Sequence, residues 1–232
     1  MIESLFLLAD LWLIFAGFFY GWRFIRRYKN YFLGLEWMVV GTSATNFLLW
    51  SVLSGGDPNS PMYTIAYFLD AFSRSFGFTL VLILGLMMVT HRYKPTLWVE
   101  VGAFALAIVG GIVLVGFHEG GAYGVAPATF FVITNLITSI FLFYFAQRLW
   151  RAGSKGWAVA TGMITIVAML IAITYDFFPW PFDDAHRSWF YSAALATWGT
   201  QGFIYFKGYK ALSERNARDD AAAAANKEGV LS

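Results

Sequence analysis

The stretch Gly156–Phe178, GWAVATGMITIVAMLIAITYDFF, sets the fold class of this chain. Its one charged residue is Asp176, close to the end, and the run is long enough for a helix to cross a bilayer core, which takes ~20 residues for ~30 Å. Arg148, Arg151 and Lys155 precede it, while Asp176, Asp183 and Asp184 close it. Six more stretches of the same kind surround it: Ser4–Trp22, Leu33–Ser54, Met62–Thr90, Thr96–Phe117, Pro127–Leu149 and Ser188–Ala211. Only 13% of the 232 residues are charged and 59% are apolar; a soluble domain carries about 25% charged residues. The runs lack the period-2 alternation of a membrane barrel. An all-α bundle of seven transmembrane helices follows.

Orientation is read from the basic residues. Of 16 in the chain, all but Arg74 and Arg187 fall at the ends of, or after, the first, third, fifth and seventh stretches. The positive-inside rule makes that side cytoplasmic, giving an N-out, C-in topology. Asp57, Glu119, Asp183 and Asp184 mark the other side. The net charge of +2 therefore reports orientation, and no nucleic-acid partner is expected. The first stretch has its basic cluster after it, unlike a signal peptide, so it is read as a retained span. Short loops point to a bacterial inner membrane. Most tryptophans, Trp37 among them, fall at span ends as an aromatic belt, with Trp12 and Trp198 as the exceptions. Residues 1–211 form the membrane domain. The charged, alanine-rich segment 212–232 is expected to leave the membrane as a helix that frays into disorder.

Seven N-out spans suggest two parallel three-helix repeats joined by a linker helix, one established way to build a carrier. Arg23-Phe-Ile-Arg26 echoes Arg148-Leu-Trp-Arg151, and Trp37-Met-Val-Val echoes Trp157-Ala-Val-Ala. The fourth span carries a small-residue stripe, Ala103, Ala107 and Gly111, suited to close packing. Gly17 and Gly21 form a second such stripe on the face that also carries Asp10, for contact within the bundle or in a homo-oligomer.

Several chemistries are excluded. Without cysteine there is no disulfide, zinc–thiolate site or iron–sulfur cluster. His91, His118 and His186 fall at span ends or in loops, so no haem is held at membrane depth, and no catalytic residue or cofactor is expected. Asp176, Asp183, Asp184 and His186, with His118 and Glu119, offer metal ligands in the acidic loops. Those loops are read instead as the counterpart of the basic ones, with no metal.

The polar groups within the spans carry the functional expectation, because each is expensive in a bilayer. Tyr63, Tyr67, Asp70, Arg74 and Gly77 recur at helical spacing, with Asp70 and Arg74 placed to pair. That pair either braces the bundle or lines a vestibule. Asn46, Asn135, Thr197, Trp198 and Gln201 lie deeper and suit a pocket for a neutral, hydrogen-bonding, aromatic solute. Glu36 and Glu100 sit beside basic loops, where salt bridges account for them.

The junction Lys29-Asn30-Tyr31-Phe32-Leu33-Gly34-Leu35 resembles the corresponding junction of the Pnu-type vitamin carriers, which take up nicotinamide riboside. The chain is similar to that family in length, aromatic richness and a seven-span, 3+1+3 arrangement. The resemblance implies carriage of a small metabolite and touches neither Asp70 nor Arg74. No ATP-binding motif is present, so the expected function is passive or ion-coupled transport of a small neutral solute. The competing expectation is a non-catalytic subunit of a larger membrane complex, in contact with lipids and neighbouring helices.

Overall fold

A computed structural model describes residues 2–119, 122–178, 180–184 and 187–231. Among them the chain forms seven helices: α1 (Ile2–Tyr28), α2 (Tyr31–Ser54), α3 (Pro61–Thr90), α4 (Leu97–Val115), α5 (Val125–Arg151), α6 (Lys155–Phe177) and α7 (Ser188–Leu231). A two-residue-per-strand hairpin, β1 (His118–Glu119) and β2 (Ala122–Tyr123), joins α4 to α5. The first six helices are long and apolar enough to cross a membrane. Large apolar side chains cover the outside in mid-helix, with Ile140 71% and Ile112 58% exposed. Water would not tolerate so continuous a surface, and lipid does.

Local chemistry sets the helix ends. Lys29 turns left-handed (φ 52°), and Asn30 then caps α2, its Oδ1 accepting from the Leu33 N–H at 3.0 Å. The same amide donates to the Gly85 carbonyl (2.8 Å) and the Tyr209 hydroxyl (3.2 Å), tying α2 to α3 and α7. Ser60 caps α3 with Pro61 in the first turn, where proline is tolerated. Asp183 accepts from the N–H groups of Trp189 (3.0 Å) and Phe190 (2.9 Å), and Asp184 from that of Ser188, so both serve the start of α7.

Six helices close into a ring in the order α1, α2, α3, α5, α6, α7, with α4 outside against α3. The pairings repeat: α1–α2 matches α5–α6, α2–α3 matches α6–α7, and α7–α1 matches α3–α5. The buried residues of α4 are Ala103, Ala107 and Gly111, the small stripe that lets it lie close to α3. On α1, a Cβ at Gly17 would stand 2.7 Å from the Gly41 backbone, and one at Gly21 2.7 Å from the Gly34 carbonyl. Two glycine pairs thus set the α1–α2 distance. The basic end of the ring is filled by Phe24, Leu86, Phe145, Leu149, Phe206 and Tyr209, all buried.

Two expectations change and one gains detail. The segment 212–232, expected as a helical extension that frays, continues α7 as a helix as far as Leu231. Its first turns are docked: Leu212 is buried, Asn216 donates to the Val89 carbonyl (2.9 Å), and Arg92 pairs with Asp220. Trp37 is no belt residue; it is fully buried, edge-on to Phe78 and over Gly202. Glu36 makes no salt bridge among the described residues and is fully buried.

Candidate solute-binding cavity

The α3 polar stripe does not run straight. Between Ser73 and Val81 the helix is π-wound, with i→i+5 hydrogen bonds, a form that appears mostly as short bulges and often at functional sites. Two α5 hydroxyls meet this segment: Thr134 donates to the Arg74 carbonyl (3.1 Å) and Thr138 to the Phe78 carbonyl (3.3 Å). The changed winding divides the stripe. Tyr67, Asp70 and Arg74 face the middle of the ring, whereas Gly77 faces Glu36 of α2.

There the ring encloses a partly open cavity of about 180 Å³. Every ring helix lines it and α4 does not: Leu13 from α1, Trp50 from α2, Asp70 from α3, Asn135 from α5, Tyr175 from α6 and Trp198 from α7 are examples. The space compares with the ~150 Å³ cavity that accepts a benzene ring. A single substituted ring is the matching solute size.

Arg74 organises one wall. Its guanidinium pairs with Asp70 on the next turn (3.2 Å) and with Asp176 at the end of α6. It also lies over the rings of Phe131 (4.1 Å) and Tyr175 (4.2 Å), an arrangement that favours a cation. Asp176 sits behind the arginine, and Asp70 faces the cavity. The hairpin covers this wall: the His118 ring lies tilted against Tyr67 with centroids 3.7 Å apart, and the Tyr123 hydroxyl donates to the Tyr67 carbonyl (3.3 Å). Burial first, and then the Asp70 carboxylate, push the Tyr123 phenol up, which keeps it a donor.

Beyond Tyr175 the lining is amide and aromatic. Trp198 stacks on Tyr175, with centroids 6.2 Å apart and planes 27° apart. Gln201, one turn along α7, donates from Nε2 to the Tyr205 hydroxyl (2.8 Å). Ser139, Thr138 and Thr165 complete a polar belt. Such a mixture of apolar walls and a few placed polar groups characterises small-molecule pockets.

Of the eight residues expected to bind solute, Tyr67, Asp70, Arg74, Asn135, Trp198 and Gln201 line this cavity. Asn46 does not; its amide donates to the Met62 carbonyl (2.8 Å) and ties α2 to the start of α3. Thr197 is buried away from it. Trp12, the other mid-span tryptophan, packs on Gly199 and donates to Thr200 (3.3 Å). Trp50, Tyr175 and Tyr191 line the cavity unexpectedly. Helical position alone marks them as interfacial aromatics, and only the ring closure turns them inward. Of the acidic-loop candidates for a metal, Asp176 serves Arg74, Asp183 and Asp184 cap α7 and His118 packs against Tyr67, while His186 and the Glu119 side chain lie outside the described residues.

Compared with known proteins, the chain matches no family model, no curated sequence and no solved structure.

Proposed function

We propose that the protein is a facilitator for a small, neutral, ring-sized solute, working passively or coupled to an ion, in a bacterial inner membrane. In this reading all seven helices cross the bilayer, N-out and C-in, with lipid around the ring and α4 as the linker between two three-helix halves. The observation that carries it is the cavity, to which each ring helix contributes and α4 does not. A linker has no part in the solute path, and the two halves meet across the space. An accessory subunit has no need of an amide- and aromatic-lined hollow at its centre. Other features fit. The Arg74–Asp176 contact joins α3 of one half to α6 of the other near the acidic end, where a gate between halves belongs. The basic end is packed solid, so the state described is one closed toward the basic loops. No catalytic role is assigned to any residue, and the protein works alone or as a homo-oligomer.

Uptake into liposomes tests this, with single-ring vitamins, free nucleobases and monosaccharides as the panel. Trp198→Ala is expected to reduce uptake of the accepted solute roughly two- to tenfold, since losing one stacking face removes ~0.5–1.5 kcal/mol. Gln201→Ala should give a similar loss, and both variants should remain monodisperse. Uptake of no panel member by the unaltered chain would contradict the proposal.

A further inference from the structure

Glu36 on α2 is, like Asp10, a fully buried carboxyl with no hydrogen-bond partner for either oxygen among the described residues, and of the two it is the one set against the π-wound segment. It lies against Gly77 of the π-wound segment so closely that a Cβ there would stand 2.4 Å from Oε1. Ser73 of the same segment carries a buried hydroxyl that, like both Glu36 oxygens, has no partner within hydrogen-bond geometry, and it lies close enough to act on the carboxyl. Among the described residues no charged group of α1, α3, α4 or α7 bears on it. Ser73 also lines the cavity, three residues beyond Asp70 on α3. The order from the cavity toward Glu36 is therefore Asp70, Ser73, Glu36.

A carboxylate buried within a span is expensive even on insertion scales, and more so where no donor compensates it. Glutamine of the same shape would avoid that cost, and a salt bridge would offset it. Neither is present. A carboxyl that alternates between acid and anion has a use for this place, because the acid form rests there and the anion form drives a change of surroundings. We propose that Glu36 is the proton-carrying group of the facilitator, loaded from the cavity past Ser73 and discharged toward the basic end. This rests on the transport reading above. On loading, a hydronium ion in the cavity gives its proton to the carboxylate and leaves as water; discharge is the reverse. A metal cation does not suit the site. Hard cations take about six oxygen ligands, and Glu36 with Ser73 supplies three.

Infrared difference spectroscopy on the purified full chain in lipid nanodiscs tests this with no solute added. The expected result is a carbonyl stretch of an un-ionised carboxyl that is absent from Glu36→Gln and moves on transfer to D2O within minutes. Ser73→Ala should slow that exchange about tenfold, or ~1.4 kcal/mol on the barrier. If Glu36→Gln fails to fold, Glu36→Asp makes the assignment, since the band then changes frequency and remains. A spectrum in which neither variant alters an un-ionised carboxyl band overturns the proposal, because Glu36 is then ionised. A band that resists D2O for hours overturns it too, as the mark of a sealed structural acid. Unchanged exchange in Ser73→Ala removes the path through the cavity, and loss of the band on adding NaCl at fixed pH identifies sodium instead of a proton. Failure of every solute in the uptake panel would sink the transport reading and leave this band and its exchange intact, so the two failures are distinguishable.

Discussion

Replacing Arg74 by glutamine is expected to cost about 3–5 kcal/mol of stability, the range for breaking a buried ion pair by removing one partner. The reason is what remains. Asp70 and Asp176 would be left in one low-dielectric wall without a cation, the Arg74 side chain that now separates them being only 14% exposed. Asp70→Asn alone should cost less, since the guanidinium keeps Asp176. Asp176→Asn added to Arg74→Gln should recover most of the loss, and the triple change with Asp70→Asn nearly all of it. Unfolding midpoints in a detergent titration read these differences. Strictly additive costs would show that the three groups do not act as a unit.

Gly17 carries the second large effect. A Cβ at this position meets the Cα and N of Gly41 and the carbonyl of Trp37, all backbone atoms. No rotamer change relieves a backbone clash, so α1 and α2 must move apart. Gly17→Ala is expected to destabilise by ~1–3 kcal/mol, the usual cost of overpacking, and Gly17→Leu to prevent recovery of monodisperse protein. Gly162 in α6 is the control, because nothing lies within 4 Å of a Cβ there. Gly162→Ala should be neutral or stabilise by up to ~1 kcal/mol through helix propensity. Equal behaviour of the two alanine variants would mean that the α1–α2 approach is not tight.

The contrast between those glycines also marks what a reader of the sequence can and cannot see. Helix positions are legible because a bilayer demands ~20 apolar residues per span, and the runs and the helices agree to within a few residues at most ends. Close contact through Gly17 and Gly21 is legible from their spacing, and through Ala103, Ala107 and Gly111 likewise. The π winding of α3 is not legible. Hydroxyls of Thr134 and Thr138, 60 residues away in sequence, meet its carbonyls, and no local signal announces them. Asp176 reads as one more acidic loop residue, and its contact with Arg74 spans 102 positions.

Glu36 and Trp37 were misleading for a related reason. Both lie near a basic loop, which suggests a salt bridge and a belt, but depth says nothing about facing. Their side of α2 is turned into the bundle, against α3 and α7, so both are dry. Within the candidate site, polar residues at membrane depth were legible because each needs a reason to be there. The aromatic members Trp50, Tyr175 and Tyr191 were not, since an aromatic near a span end suits the headgroup level equally well. The docked start of segment 212–232 was hidden by its composition. Alanine and charge favour a helix anywhere, and long-range contacts hold it against the bundle: buried Leu212, Glu214 with Arg27, Asn216 with the Val89 carbonyl and Asp220 with Arg92.

A facilitator of this kind needs a water-filled, solute-sized space between the two halves of the helix ring. Because the chain has no cysteine, single cysteines placed at Asn59, Ser139 and Ala221 can each be read without background. The direct measurement is their reaction with a small, membrane-impermeant thiol reagent added outside sealed liposomes of uniform orientation. Asn59→Cys, in the exposed α2–α3 loop, should react fast. Ser139→Cys, only 4% exposed yet in the cavity wall, should react more slowly and lose solute uptake as it does so. Ala221→Cys, on the far side, should not react. An unreactive Ser139→Cys beside a reactive Asn59→Cys would mean a dry, solid core, and would replace the facilitator with a structural subunit.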